Sequence, residues 1–161
     1  MASLADLAAA AAARWSSIYS VTVPPELVLA IIGIESHGDT NAVGSAGELG
    51  LMQVKPDTAR ALGLVDPRKL AMPEIGVDYG TKYLAQQLER YAGKIPHAVA
   101  AYNAGSARFT EGETFINQSY VDKVIARFLQ LVHGNAVTPL AWIGAAAIAG
   151  VALWIANTRR S

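Results

Sequence analysis

The chain has 161 residues, 52% of them hydrophobic and 16% charged, and its thirteen basic and thirteen acidic side chains cancel. That composition excludes intrinsic disorder, and the balanced charge leaves no basic field for a nucleic acid, so no nucleic-acid partner is expected. With no cysteine, a disulfide scaffold, a thiol nucleophile and a thiolate zinc site are excluded as well.

The length fits one domain with an appendage. Leu4 to Tyr19, with the alanine run Ala8 to Ala13, has high helix propensity. It is expected to pack on the domain as an N-terminal helical segment, residues 1–23. Asp6 precedes the alanine run and no positive n-region is present, so the pattern is not that of an export signal. Pro24 and Pro25 interrupt this helix, and Pro25 suits the first turn of the next. Glu26 to Ser36 (ELVLAIIGIES) is apolar almost all round, the mark of a helix in the middle of a domain. His37-Gly38-Asp39 ends it, and Asn41 to Gly50, rich in Gly, Ser and Asn, reads as a loop.

Pro56 to Leu62 reads as a short helix with Pro56 and Asp57 in its first turn. Pro73 to Tyr91 carries Ile75, Tyr79, Tyr83, Leu84 and Leu88 at helical spacing. Pro96 to Ala104 is a further short apolar helix. Tyr120 to Val132 sets Val121, Val124, Ile125, Phe128 and Leu131 on one face, and Gly134-Asn135 stops it. There is no run of alternating strands and no repeat. The expectation is an all-α domain over residues 24–134.

The tail is different. Leu140 to Ala156 reads LAWIGAAAIAGVALWIA, about 26 Å of uncharged helix, near the short end of what spans a bilayer. Trp142 and Trp154 stand near its ends as an aromatic belt does, with Arg159-Arg160 just beyond. Residues 137–157 are therefore expected to form a C-terminal transmembrane anchor, with 158–161 as a short basic tail. The alternative is an Ala-rich helix inside a soluble core. The arginine pair favours a cytoplasmic C-terminus, which places the folded domain on the other side of the bilayer.

Glu35 is the first chemical oddity. It ends a helix of Leu27, Val28, Leu29, Ile31, Ile32 and Ile34, where apolar surroundings and the negative end of the helix dipole both oppose ionisation. A carboxylic acid that keeps its proton near neutral pH is what a general acid needs. The plainer reading is a surface glutamate on the polar edge of the helix.

The residues downstream of Glu35 separate those readings. Glu35-Ser36 is succeeded by Asn41-Ala42, Gly47 and Gly50-Leu51-Met52-Gln53. Then come Ala100-Ala101-Tyr102-Asn103-Ala104-Gly105 and Glu113-Thr114 ahead of Tyr120-Val121. This ordered set, over roughly residues 25 to 130, resembles the soluble lytic transglycosylase family, lysozyme-like enzymes that cleave bacterial peptidoglycan. The resemblance implies that Glu35 is the single catalytic acid/base. It implies that Gln53, Tyr102 and Asn103 line the sugar groove, with Met52 as the apolar residue near the acid. Glu113 and Tyr120 match the acid and the aromatic of a late block that also meets substrate. Structural readings stand beside these: Met52 as core filling, Tyr102 as a core tyrosine, Asn103 as a helix-ending residue and Glu113 as an exposed or capping charge.

Three positions depart from the family pattern. Nine residues after the acid the family usually carries a serine, thought to contact the substrate's N-acetyl group. Here the position is Gly44, so that either Ser45 substitutes or the contact is missing. Where a small residue usually comes after Gly47 stands Glu48, a candidate second carboxylate or a solvated loop residue. Ser106 replaces the usual proline after AYNAG.

The implied reaction needs one acid, no metal and no cofactor. Glu35 protonates the bridging oxygen between N-acetylmuramic acid and N-acetylglucosamine, then as base takes the proton of the muramyl C6 hydroxyl, which closes an anhydro ring. An intramolecular hydroxyl has a large advantage over water. The expected partners are peptidoglycan strands and the bilayer, with membrane or virion proteins beside them. A phage virion that contains a membrane is one setting in which such an enzyme opens the wall from outside. A water-using lysozyme-type hydrolase and a non-catalytic glycan-binding membrane protein are the competing readings.

Overall fold

A computed structural model describes residues 2–134. Within them the chain forms α1 (Leu4–Tyr19), α2 (Pro25–Glu35), α3 (Pro56–Ala61), a 3-10 helix (Pro67–Ala71), α4 (Pro73–Arg90), α5 (Ile95–Ala104) and α6 (Gln118–Gly134). Proline occupies the first turn of α2, α3, α4 and α5, where its fixed φ helps and its missing N–H is not needed. That is why these starts are readable from sequence.

α1 opens on a capping box: the Ser3 hydroxyl accepts from the Asp6 N–H and the Asp6 carboxylate accepts from the Ser3 N–H. Its buried face is Ala8, Ala11, Ala12 and Trp15, at the i, i+3, i+4, i+7 spacing of one helix stripe. Small alanines let α1 lie close on α4, and the Trp15 indole N–H donates to Asp78 of that helix at 2.9 Å. α1 therefore shares the same core as the rest of the described chain.

α2 runs through the middle, between α1 and α6. Leu27, Val28, Ala30 and Ile31 are fully buried, and truncating Leu27 or Ile31 to alanine is worth about 2–5 kcal/mol of stability. α6 covers the other side with a strongly amphipathic face: Val121 and Val124 are buried, while Tyr120, Ile125, Phe128 and Leu131 pack at the core's edge. α4 closes on the loop after α2 through Gly80. A Cβ there would lie 2.5 Å from the Met52 side chain, so only glycine permits this approach.

The all-α expectation holds for the described residues, with ends shifted by a residue or two. The 3-10 helix has no counterpart in the apolar spacing of the sequence: it is short, and Asp66 caps it by accepting from the Arg68 N–H. Among the described residues pairing is limited to isolated bridges, Val43 with Leu49, Leu49 with Val54 and Phe109 with Phe115. The expected membrane helix at 137–157 and the basic tail lie outside the described residues. Among the described residues no helix is long and apolar enough to cross a membrane.

Candidate active site

The site begins where α2 runs out. Ser36 comes directly after the last helical residue, and its hydroxyl donates to the Leu51 carbonyl at 2.8 Å while accepting from the Gly38 N–H at 3.1 Å. This pins the GLMQ segment beside the helix end that carries Glu35. The intervening loop doubles back tightly, with the Gly44 N–H donating to the Glu48 carbonyl and the Leu49 N–H to the Val54 carbonyl.

Gln53 holds the loop's second half. Its backbone is left-handed, with φ +46°, and its side-chain NH2 donates to the carbonyls of Ala42 (3.1 Å) and Gly50 (2.9 Å). From α5, the Tyr102 hydroxyl donates to the Met52 carbonyl at 2.8 Å. Tyr83 of α4 packs on Tyr102 with ring centroids 5.1 Å apart. Asn103 is oriented from outside its helix: Asn117 donates one amide hydrogen to the Asn103 Oδ1 at 2.9 Å and the other to the Ala100 carbonyl at 3.0 Å.

These elements enclose a cleft of about 510 Å³. Glu35, Ser45, Gln53, Tyr102 and Asn103 line it together, as do Gly44 and Glu48. Tyr83, Lys55 and Thr58 also line it, and sequence reasoning does not mark them as site residues. Tyr83 sits on the apolar stripe of α4, so spacing alone reads it as core; a hydroxyl at the stripe's edge is the only signal.

Glu35 is half-buried and holds its proton to higher pH than an ordinary glutamate. Burial is the main cause, the Glu48 charge adds to it, and a hydrogen bond from Tyr120 works against it. That bond runs from the Tyr120 hydroxyl of α6 to Glu35 Oε1 at 2.6 Å. Burial and the Glu35 charge push both the Tyr120 and the Tyr102 hydroxyls up, so each stays a donor. With Oε1 accepting from Tyr120, Oε2 is the oxygen without that bond.

Three of the expected site residues, Met52, Tyr120 and Glu113, lie outside the cleft lining. Met52 is fully buried; its side chain packs against Gly80 and the Thr81 hydroxyl, and only its carbonyl serves the site, as the anchor of Tyr102. The Tyr120 hydroxyl is bonded to the acid, and the ring is not among the residues lining the cleft. Glu113 stands exposed in the turn between Thr110 and Thr114, in a left-handed conformation with φ +58°. Its position in that turn keeps it out of the cleft lining. Among the described residues no group of three or more His, Asp or Glu is arranged to hold a metal ion.

A helical domain with a half-buried carboxyl in a cleft, braced by a tyrosine from a helix far along the chain, is the class that fold and site define. Residues 14–115 match the transglycosylase SLT domain family, and the chain belongs to that family. It is 33% identical over 122 residues to a transglycosylase of Enterobacteria phage PRD1, covering 74% of this chain and 43% of that one. It is 27% identical over 139 residues to membrane-bound lytic murein transglycosylase E of Buchnera aphidicola, covering 74% of this chain and 66% of that one. Among solved structures it resembles the lytic transglycosylase Slt of Pseudomonas aeruginosa, in an inactive mutant, with a TM-score of 0.62 and 25% identity over 81% of this chain and 25% of that one. The 70-kDa soluble lytic transglycosylase in complex with bulgecin A shares the fold, at TM-score 0.66 and 22% identity over 84% of this chain and 26% of that one. The chain thus spans less than half of the phage relative and about a quarter of each of these structures.

Proposed function

We propose that this protein is a lytic transglycosylase that cleaves peptidoglycan between N-acetylmuramic acid and N-acetylglucosamine and leaves anhydro-muramyl ends. One observation carries the reading: a half-buried carboxyl at the end of α2, Glu35, which burial makes hold its proton to higher pH and which Tyr120 grips on one oxygen. The Oε2 proton passes to the bridging oxygen as the glycosidic bond breaks, and positive charge grows at the muramyl anomeric carbon. Tyr120 then stabilises the carboxylate that remains. That carboxylate takes the proton of the muramyl C6 hydroxyl while the hydroxyl oxygen bonds to the anomeric carbon, so Glu35 regains its proton and the ring closes. Gln53, Tyr102, Asn103 and Ser45, which share the cleft with the acid, seat the sugars.

Glu48 favours a second reading. Its carboxylate shares the cleft with Glu35, and two carboxylates are the equipment of a water-using lysozyme. Digestion of purified sacculi and mass spectrometry of the products separate the two. Anhydro-muramyl ends support the transglycosylase, and reducing ends overturn it in favour of the hydrolase.

Residues 137–157 are proposed to anchor the enzyme in a bilayer with the catalytic domain on the wall side, supported by the uncharged stretch from Leu140 to Ala156 between two tryptophans. Co-flotation of the full chain with lipid vesicles checks this; a chain that stays at the bottom of the gradient refutes it. Similarity to a phage transglycosylase supports a role in opening the wall locally during genome entry. Detection of the protein in purified virions is the expected result.

A further inference from the structure

Glu48 is folded back onto the start of its own turn. The Gly44 N–H donates to the Glu48 carbonyl at 2.8 Å and the Gly47 N–H to the Gly44 carbonyl at 3.0 Å, which brings the Glu48 side chain over Gly44. A Cβ built on Gly44 would collide with Glu48 Oε2 and lie 2.7 Å from Gln53 Oε1. The φ of Gly44 is not in the left-handed region, so the glycine is there for space. The space it leaves holds a carboxylate.

That carboxylate is fixed rather than loose. Its Oε2 accepts from the Ala46 N–H at 3.0 Å, and its Oε1 lies 3.7 Å from the Lys55 ammonium. The side chain is only 21% exposed and faces the cleft that Glu35 faces. A carboxylate has about four lone-pair sites, so these two contacts leave acceptor capacity directed at whatever occupies the cleft. Among the groups of an N-acetylated sugar, the donors that match are an amide N–H and ring hydroxyls.

We propose that Glu48 is a substrate-binding residue whose carboxylate fills the place of a side chain at position 44 and accepts a hydrogen bond from an N–H or O–H donor of the sugar seated beside Glu35. This rests on the transglycosylase reading and deepens it, because it makes Gly44 and Glu48 one exchangeable unit. A charged acceptor fixed by two contacts discriminates for a donor at that point of the sugar more sharply than a hydroxyl, which can both donate and accept.

The test measures KM and kcat on solubilised glycan strands, with thermal unfolding, for Glu48→Ala, Glu48→Gln and Gly44→Ser in the full chain. Glu48→Ala is expected to raise KM about ten- to hundredfold, the weight of a hydrogen bond to a charged group, with a smaller effect on kcat. Gly44→Ser is expected to lose activity, because its side chain meets both Glu48 and Gln53. Glu48→Gln keeps an oxygen for the Ala46 N–H and turns an amide donor toward the cleft, so its KM rises while its thermal unfolding stays near native. If Glu48 only staples the loop through Ala46, Glu48→Gln has native KM; that result overturns the proposal. So does a Glu48→Ala protein with native KM. Glu35→Gln, run in parallel, keeps the two readings apart: its loss of activity beside a native Glu48→Ala sinks only the role of Glu48, whereas full activity in Glu35→Gln sinks the transglycosylase reading itself.

Discussion

Two loop regions carry family-like motif residues, and they end up in different circumstances. Residues 41–54 are bound to the body by Ser36 to Leu51 and Tyr102 to Met52, and braced internally by Gln53 to Ala42 and Gly50. This segment delivers its polar side chains into the cleft. Residues 107–117 are held by the Tyr91 hydroxyl at the Ala107 N–H, by Asn117 at Ala100 and by Phe115 in the core. Phe109 and Ile116 remain about half exposed, and Glu113 faces out. A matching residue type lines the cleft where its backbone is pinned beside the acid, whereas Glu113 stands in a turn outside that lining.

The largest effect that sharpens this contrast is expected at the acid. Glu35→Gln keeps the size and one acceptor but cannot deliver the proton, so lysis of sacculi should fall by about 10²–10⁴-fold with little change in thermal unfolding. Next comes a break in the pinned loop. Tyr102→Phe leaves the buried Met52 carbonyl without its donor, a loss of about 1–3 kcal/mol that chemical denaturation reads directly, with reduced activity as the loop loosens. The pH profile is third in size. Activity requires protonated Glu35, so it falls as pH rises through the raised titration point; Tyr120→Phe removes the bond that lowers that point, and the alkaline limb should move to higher pH. The smallest effect belongs to the exposed turn. Glu113→Ala is expected to stay within about 0.5 kcal/mol of the native stability and near native activity on sacculi; a large loss there would show that the turn closes over substrate.

Most of the helices are legible in the sequence because their starts are marked chemically. Pro25, Pro56 and Pro73 begin helices where fixed φ values favour them, and the stripe of Val121, Val124, Ile125, Phe128 and Leu131 belongs to one face of α6. Glu35 is readable for the same reason: an acid at the end of an otherwise apolar helix is unusual on physical grounds. Sequence does not reveal which side of the backbone each motif residue takes. Met52 and Gln53 are adjacent, yet the left-handed φ of Gln53 sends one side chain under Gly80 and the other into the cleft. Nor does a spacing of 85 residues announce that Tyr120 meets Glu35; that contact exists because α6 packs along α2. The two-sided role of Ser36, as anchor for Leu51 and acceptor for Gly38, is likewise a property of packing.

The bond between Tyr120 and Glu35 also bears on the order in which the enzyme is made. Ribosomes release the acid and the whole GLMQ segment well before α6 appears. A nascent chain that stops short of Gln118 lacks both the hydroxyl that grips Oε1 and the helix that packs along α2. The acid and its brace thus meet only after almost all of the described chain has been synthesised and folded onto α2.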